Sequence, residues 1–226
     1  MATKYVPKGP VSRAIHEFEE TFIALLLGLM TLVTFANVVL RYAFNSQLIW
    51  GLELVLILFA WLVLFGISYG FKVTMHLGVD AILAIVNPRV RFVMSLIAAL
   101  ITLAYMLLLL KGAWDYWAPF AGFDATSGRW FPTGFENTRD QGWYETEQIP
   151  IPFLQGWLEN TFNVGEAYEK MPRLVPYFIL PFGAFLMVVR VIEATLRLIK
   201  AGDGSLIVSH EAEDAVEEVA ALNKEN

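Results

Sequence analysis

Long apolar runs alternate with short polar segments along this chain, and the pattern predicts membrane-spanning helices. Phe22–Leu40 and Leu54–Phe71 contain no charged residue. A helix needs about 20 apolar residues to cross the hydrocarbon core of a bilayer, and each run is close to that length. Two more apolar runs begin near Val90 and Leu174. The sequence therefore predicts an all-α integral membrane protein with four transmembrane helices.

The four spans divide the chain into segments of different character. We predict a cytoplasmic N-terminal segment at 1–20, spans one to three within 21–113, a periplasmic connection at 114–172, span four within 173–200 and an acidic cytoplasmic tail at 201–226. The individual spans are predicted at about Thr21–Phe44, Leu48–Phe71, Val90–Lys111 and Leu174–Ile199. Pro176 and Pro181 suit an early turn or a kink in the last span, which neighbouring helices can tolerate.

A short apolar stretch lies between spans two and three. His76–Val86 is too short to cross a bilayer, and Asn87–Pro88 after it marks a turn. We interpret it as a re-entrant or interfacial helix. His76 and Asp80 would share one face of that helix, as half of a metal site or as a local hydrogen bond. Because no further ligands cluster nearby and a site needs three or four, no metal site is predicted.

Lysine and arginine near the ends of spans predict the orientation, since they are enriched on the cytoplasmic side. Three basic residues precede span one, and three lie in the Lys72–Arg91 connection. We count Arg190, Arg197 and Lys200 with the segment that follows span four. With four spans, this pattern places both termini and the Lys72–Arg91 connection in the cytoplasm.

The connection at 114–172 is long and rich in aromatic residues. Long loops are usually functional or disordered, and the aromatic content argues against disorder. Apolar or small residues recur there at helical spacing: Phe153, Leu154, Trp157, Leu158, Thr161 and Phe162. This spacing predicts a short amphipathic helix, either on the outer membrane surface or packed as a cap on the protein's own helices.

Composition narrows the function classes. The chain has 226 residues, of which 57% are hydrophobic, against roughly 45–50% in soluble domains. A net charge of −6 provides no basic face for nucleic acid. The absence of cysteine excludes disulfides, thiolate metal sites and iron–sulfur clusters. None of the three histidines lies mid-span, which disfavours a haem held between helices, and no cofactor is predicted.

The hairpin between spans one and two contains the most distinctive residues. Arg41 and Glu53 lie symmetrically about Gln47, so a chain reversal there puts them at similar depth. We hypothesise an ion pair between them, because a charge at the edge of the hydrocarbon costs less when paired. The alternative is that both side chains reach into the headgroups. Trp50 and Trp61 are candidates for interface anchoring or subunit contact, with anchoring better suited to Trp50 near the boundary.

The interiors of the predicted spans contain few polar residues, and we expect no Asp, Glu, Lys or Arg near their middle. Transport pathways normally carry ionisable groups near the midplane. This argues that the chain does not itself carry a charged solute. Gly28, Gly66 and Gly70 would allow close contact between helices.

The hairpin and its surroundings resemble the small membrane subunit, or Q subunit, of tripartite ATP-independent periplasmic (TRAP) transporters. The residues that carry the resemblance are Asn37-Val-Val-Leu-Arg41-Tyr-Ala-Phe44, Trp50-x-x-Glu53, Trp61 and His76-x-x-Val-Asp80. The resemblance covers about Phe22 to Leu110 and the last span. Two features depart from the family pattern: Leu52 stands where a second acidic residue is frequent, and the outer connection is longer than in compact members. Larger small subunits of this kind look most like those of C4-dicarboxylate systems.

The resemblance implies a role that agrees with the residue-level interpretation. Small subunits of this family sit in the bacterial inner membrane with both termini cytoplasmic. They scaffold a large permease subunit, the M subunit, which carries an organic acid with sodium. A periplasmic substrate-binding protein, the P subunit, delivers that solute, and membrane lipids surround the complex. Asn37, Arg41, Trp50, Glu53, Trp61, His76 and Asp80 are then structural or subunit-interface candidates. The competing hypotheses are the membrane anchor of a respiratory redox enzyme and an autonomous small transporter.

Overall fold

The computed structural model describes residues 9–73, 87–126, 128–134, 141–151 and 154–201. These residues are mostly helical and include no strand; Glu145 and Pro172 form an isolated antiparallel bridge. The helices are α1 (Pro10–Ala43), α2 (Gly51–Val73), α3 (Pro88–Trp117), α4 (Gln141–Tyr144), α5 (Gln155–Phe162), α6 (Leu174–Tyr177) and α7 (Ile179–Ala201), with a 3-10 turn at Ala118–Ala121. The predicted interfacial helix at His76–Val86 and most of the acidic tail lie outside the described residues.

The prediction of four spans is confirmed. Four helical segments are long and apolar enough to cross a membrane: Ser12–Ala43, Gly51–Val73, Arg89–Ala121 and Leu174–Lys200. The first and third extend beyond their predicted ends, because α1 already begins at Pro10 and α3 continues to Trp117. An α5 helix is present where the aromatic spacing predicts one, and its Leu158 is buried.

Local sequence explains where the long helices begin and end. After α1, Asn45 adopts a positive φ of 48°, and the Ser46 N–H donates to the Leu40 carbonyl at 3.0 Å. The left-handed residue and a backbone bond that spans it resemble a Schellman ending, in which asparagine is the usual substitute for glycine. At the start of α3, Pro88 occupies the first helical position, where its missing N–H costs nothing. The last span is interrupted at Phe178, between Pro176 and Pro181, as the two prolines predict.

The described residues fall into two compact units. The first comprises the described parts of Met1–Glu20, Ile67–Met106 and Leu186–Asn226, and the second comprises those of Thr21–Gly66 and Leu107–Phe185. The core of the first unit includes small and aliphatic residues such as Ala99, Met187, Val191 and Leu198. The second unit has an aromatic core made of Trp117, Phe120, Ala121, Tyr144 and Leu174, with Trp114, Phe123, Phe162 and Tyr177 packed against it.

Candidate functional site

Glu53 joins the predicted hairpin to the outer connection. It lies in the first turn of α2, where the helix dipole favours a negative charge. Its two carboxylate oxygens accept hydrogen bonds from consecutive backbone N–H groups, that of Glu147 at 2.9 Å and that of Gln148 at 2.8 Å. Bonds from N–H groups to a carboxylate are about twice as strong as neutral ones. Glu53 therefore fixes the start of α2 to a segment that lies far away in the sequence.

The predicted ion pair between Arg41 and Glu53 is wrong. Both residues are described, and the salt bridges of the described residues do not include one between them. Arg41 is exposed near the end of α1, while the oxygens of Glu53 bind the two amides of the connection. Similar depth in the hairpin is not sufficient for Arg41 and Glu53 to pair, because two adjacent backbone N–H groups are better aligned with the Glu53 carboxylate.

Three other hairpin candidates have structural roles in the second unit. The Asn37 side-chain oxygen accepts a hydrogen bond from the Leu48 N–H at 3.0 Å, which closes the reversal between α1 and α2. The Trp61 indole N–H donates to the Pro176 carbonyl at 2.8 Å, near the interruption of the last span. Trp50 is half-buried, and its carbonyl accepts the Leu54 N–H at the start of α2. His76 and Asp80 lie outside the described residues.

A groove of about 510 Å³ opens beside Glu53. Its walls are mostly apolar, and polar groups from the connection lie at the same opening. The lining residues that bear on function are Leu52, Glu53, Leu56, Tyr116, Glu147 and Tyr177. Leu52 and Leu56 are exposed large hydrophobic residues on α2. Exposed apolar side chains on a spanning helix contact lipid or another subunit, and the acidic rim distinguishes this opening from the rest of the apolar surface.

The outer connection is folded in its described parts, in agreement with the argument against disorder. Glu145 repeats the arrangement of Glu53, because its carboxylate accepts the N–H groups of Glu169 at 3.3 Å and Lys170 at 3.2 Å. Arg173 donates to the Glu145 carbonyl at 2.7 Å. The Trp117 indole N–H donates to the Leu174 carbonyl at 2.8 Å. These bonds attach both ends of the connection to the aromatic core of the second unit.

The first unit contains a buried charge cluster, defined by Glu19, Lys72 and Arg190. One oxygen of Glu19 binds the Lys72 ammonium, and the other accepts a bond from the Arg190 guanidinium at 2.7 Å. The Lys72 and Glu19 side chains are only 4% and 9% exposed. Arg190 also pairs with Glu193 at 2.9 Å. The cluster therefore binds α1, α2 and α7 together through charges.

Neighbouring polar residues extend this cluster. The Tyr69 hydroxyl donates to Glu20 at 2.8 Å, and the His16 Nε2 lies 3.5 Å from the same carboxylate oxygen. The His16 and Tyr69 rings are stacked with centroids 5.8 Å apart. Charged groups that leave water are stabilised only when such partners satisfy them. The network is therefore suited to holding these helices together.

The charge cluster corrects one interpretation of the sequence. Arg190 does not follow span four but lies near the middle of α7, with Glu193 about one turn further on, so ionisable residues do occur well inside this span. Glu19 lies within the continuous helix α1, which begins at Pro10. The sequence contains a signal for part of the cluster, because the acidic Glu19 precedes span one and the basic Lys72 follows span two. The spacing alone does not say which charges meet.

Comparison with known proteins gives matches over most of the chain. A family model described as tripartite ATP-independent periplasmic transporters, DctQ component, matches residues 30–133, a range that includes all seven candidate residues predicted from the sequence. The chain is 38% identical over 211 residues to the C4-dicarboxylate TRAP transporter small permease protein DctQ of Vibrio cholerae serotype O1, covering 93% of this chain and 84% of that protein. The protein of the same name from Pseudomonas aeruginosa is 32% identical over 133 residues, covering 47% of this chain and 63% of that protein.

Proposed function

This chain belongs to the DctQ component family of TRAP transporters, and we propose that it scaffolds a larger, sodium-coupled permease subunit. The resemblance predicted from the hairpin residues is confirmed by these matches. The chain is accordingly a multi-pass membrane subunit of a transporter and not an enzyme. The match favours this interpretation over the membrane anchor of a redox enzyme.

The solute we propose is a C4-dicarboxylate, delivered by a periplasmic substrate-binding protein. The similarity to a C4-dicarboxylate small permease over 84% of that relative's length is the observation that carries this proposal. Co-expression with the large subunit and the binding protein tests it. We expect saturable, sodium-dependent uptake of labelled succinate. Uptake of an unrelated organic acid but not of succinate would contradict the substrate class and leave the scaffold role intact.

The use of the charged residues supports a scaffold over a carrier. Glu19, Lys72 and Arg190 are engaged with one another, and Glu53 is engaged with two backbone amides. Lys111 and Asp115 pair at 2.8 Å within α3. A transport site needs polar groups that can exchange partners with a solute. In this chain these charges hold the protein's own elements.

We place the contact with the large subunit at the groove beside Glu53. Leu52 and Leu56 present exposed apolar side chains there, and Glu147 adds a carboxylate at the rim. A photo-crosslinking residue at Leu56 should capture the co-expressed large subunit, while one at Leu108, an exposed position on α3, serves as the matched comparison. Capture at Leu108 and not at Leu56 would move the interface away from the groove.

The outer connection, 114–172, is our candidate for contacting the binding protein or covering the large subunit. Its helix α5 exposes Trp157, which packs edge-on against Phe162 with ring centroids 5.7 Å apart. Aromatic side chains of this kind are frequent energetic centres of interfaces. Trp157→Ser should raise the binding-protein concentration needed for half-maximal uptake several-fold. The exposed Glu166→Ser is the control, and equal behaviour of both variants would exclude docking at α5.

We further propose an inner-membrane location with both termini cytoplasmic, from the distribution of lysine and arginine. The chain lacks cysteine, so a single introduced thiol reports sidedness without background. Glu166→Cys should react with an impermeant maleimide added to intact spheroplasts. Labelling only after the cytoplasmic face is opened would reverse the orientation.

Co-purification tests the physical association that the scaffold role requires. An affinity tag on this chain should retain the large subunit after detergent extraction, with the complex surviving gel filtration. A visible spectrum of the same sample distinguishes the redox alternative, since a Soret band would support a haem-bearing anchor. Purification of this chain without its partner, together with normal uptake, would contradict scaffolding.

A further inference from the structure

The described part of the connection contains a loop whose tip carries two of its most exposed aromatic residues. Trp130 is 67% exposed and Phe131 is 80% exposed. By contrast, Trp117, Phe120 and Tyr144 form the core of the same unit. Two adjacent large apolar side chains that face outward from a loop indicate a surface that meets something other than water.

The base of the loop is closed by hydrogen bonds. The Asp124 N–H donates to the Gly134 carbonyl at 3.0 Å, and the Thr133 hydroxyl approaches the Asp124 carboxylate at 3.4 Å. A tight turn precedes the tip, in which the Arg129 N–H donates to the Thr126 carbonyl at 2.8 Å and Gly128 takes a φ of 85°. The tip is therefore presented by a closed loop and not by a free strand of chain.

Asp115 sets the depth of this loop. One carboxylate oxygen accepts the Thr126 N–H at 2.6 Å and the Thr126 hydroxyl at 2.5 Å, and the other accepts the Lys111 ammonium at 2.8 Å. Asp115 lies inside Arg89–Ala121, the third segment able to cross a membrane. The helix rises by about 1.5 Å per residue, so the level of Asp115 is below the end of this segment. After leaving that end, the chain returns alongside the helix to the level of Asp115.

We propose that Trp130 and Phe131 insert into the boundary between lipid headgroups and acyl chains and anchor the connection to the membrane. The tip follows within a few residues of Thr126, which is held at the level of a membrane-spanning segment. Tryptophan is enriched at that boundary, where its ring meets both apolar and polar surroundings. Arg129 precedes the tip and provides a cation for lipid phosphate. The exposed apolar surface of α3, including Leu108, places the same unit in contact with lipid.

This inference rests on the chain spanning a membrane and is independent of the scaffold role. Its consequence is mechanical. The connection would be attached at its base through Asp115 and at its tip through the lipid, so that its remaining surface is held at a fixed height above the bilayer. A partner that approaches from the periplasm would then meet a preorganised surface.

The test uses spin labels on single cysteines in the reconstituted full-length chain. A nitroxide at Phe131→Cys leaves Trp130 in place and should be several-fold more accessible to oxygen than to a water-soluble nickel chelate. Leu108→Cys gives the lipid-exposed reference and Glu166→Cys the aqueous reference, both in the same unit. An accessibility ratio equal to that of the Glu166 label would overturn the proposal.

A second measurement separates lipid from protein as the occupant. The same label is compared in liposomes that hold this chain alone and in liposomes that hold it with the large subunit. We expect the oxygen-rich, nickel-poor environment in both. If the label is aqueous in the chain alone and protected from both reagents only when the large subunit is present, the tip binds that subunit and the lipid proposal fails.

Discussion

The two units provide partners for their carboxylates by different means. In the first unit, Glu19 is neutralised by full positive charges on two other helices, Lys72 and Arg190. In the second unit, Glu53 and Glu145 are each bound by two consecutive backbone N–H groups. The charge cluster is a contact between side chains of separate helices, whereas the two cradled carboxylates hold the backbone of the connection.

This difference predicts how the two regions should respond to substitution. Removing one partner of a buried ion cluster leaves an uncompensated charge, which is among the costliest changes in a protein. Removing a carboxylate that binds backbone amides near the surface loses two charge-assisted bonds, which water can partly replace. Loss of any one charge in the first region should therefore disrupt the whole cluster, whereas the attachments of the second region should be lost one at a time.

The largest effect is expected at Glu19. Glu19→Leu leaves Lys72 and Arg190 without their shared counter-charge, and we expect a loss of about 3–5 kcal/mol in stability. Thermal unfolding of the detergent-solubilised protein measures the change. Glu17→Leu is the control, because Glu17 is an exposed carboxylate on the same helix.

Combined substitution tests whether the loss at Glu19 comes from the uncompensated charges. Changing Glu19, Lys72 and Arg190 together to leucine removes the three buried charges and leaves only the half-exposed Glu193 without its arginine partner, so much of the lost stability should return. If Glu19→Leu unfolds no more easily than Glu17→Leu, the cluster does not stabilise the protein and the proposed difference between the two units is wrong.

An intermediate effect is expected at Glu53. Glu53→Ala should cost about 1.5–3 kcal/mol, because the two bonds to a charged acceptor are lost. Glu53→Gln should cost less, since the amide oxygen still accepts one N–H. Limited proteolysis near Glu147 and Gln148 reports the local release of the connection.

A charge swap gives the complementary result for the same residue. The double variant Arg41→Glu with Glu53→Arg should be no better than the worse single variant, because arginine cannot accept from backbone amides. Rescue by the double variant would restore the ion-pair hypothesis and contradict the observed geometry.

The smallest effect is expected at Trp61, a neutral attachment of the second unit. Trp61→Phe removes the bond to the Pro176 carbonyl but retains an aromatic ring next to Phe22, whose own ring also packs against Phe65. We expect a loss of about 1 kcal/mol by thermal unfolding. A loss as large as that of Glu19→Leu would show that this neutral hydrogen bond stabilises the protein as much as the charge cluster does.

Hydropathy was sufficient to predict the four spans because every backbone polar group must be satisfied inside the bilayer, which leaves helices as the solution. It was not sufficient to predict side-chain partners. The partners of Glu53 lie about 95 residues away in sequence, and no periodicity reports which loop amides return to the start of a helix. Glu19, the partner of Arg190, is still more remote, 171 residues away in the sequence.

The glycines show the same limit. Gly28 and Gly66 suggest close helix contact from sequence, but a Cβ at either position would meet nothing within 4 Å in the described chain. A Cβ at Gly183 would instead lie 3.0 Å from the Leu64 Cβ. Small residues permit close approach, and only the packed structure determines which of them is used.

Reconstitution provides the most direct test of the central claim that this chain supports a carrier and does not transport by itself. Liposomes holding the chain alone, with an inward sodium gradient and the loaded binding protein outside, should accumulate no more labelled succinate than empty liposomes. Adding the large subunit should produce uptake. Accumulation by the chain alone would contradict the account, because its charged groups would then have to serve a solute as well as one another.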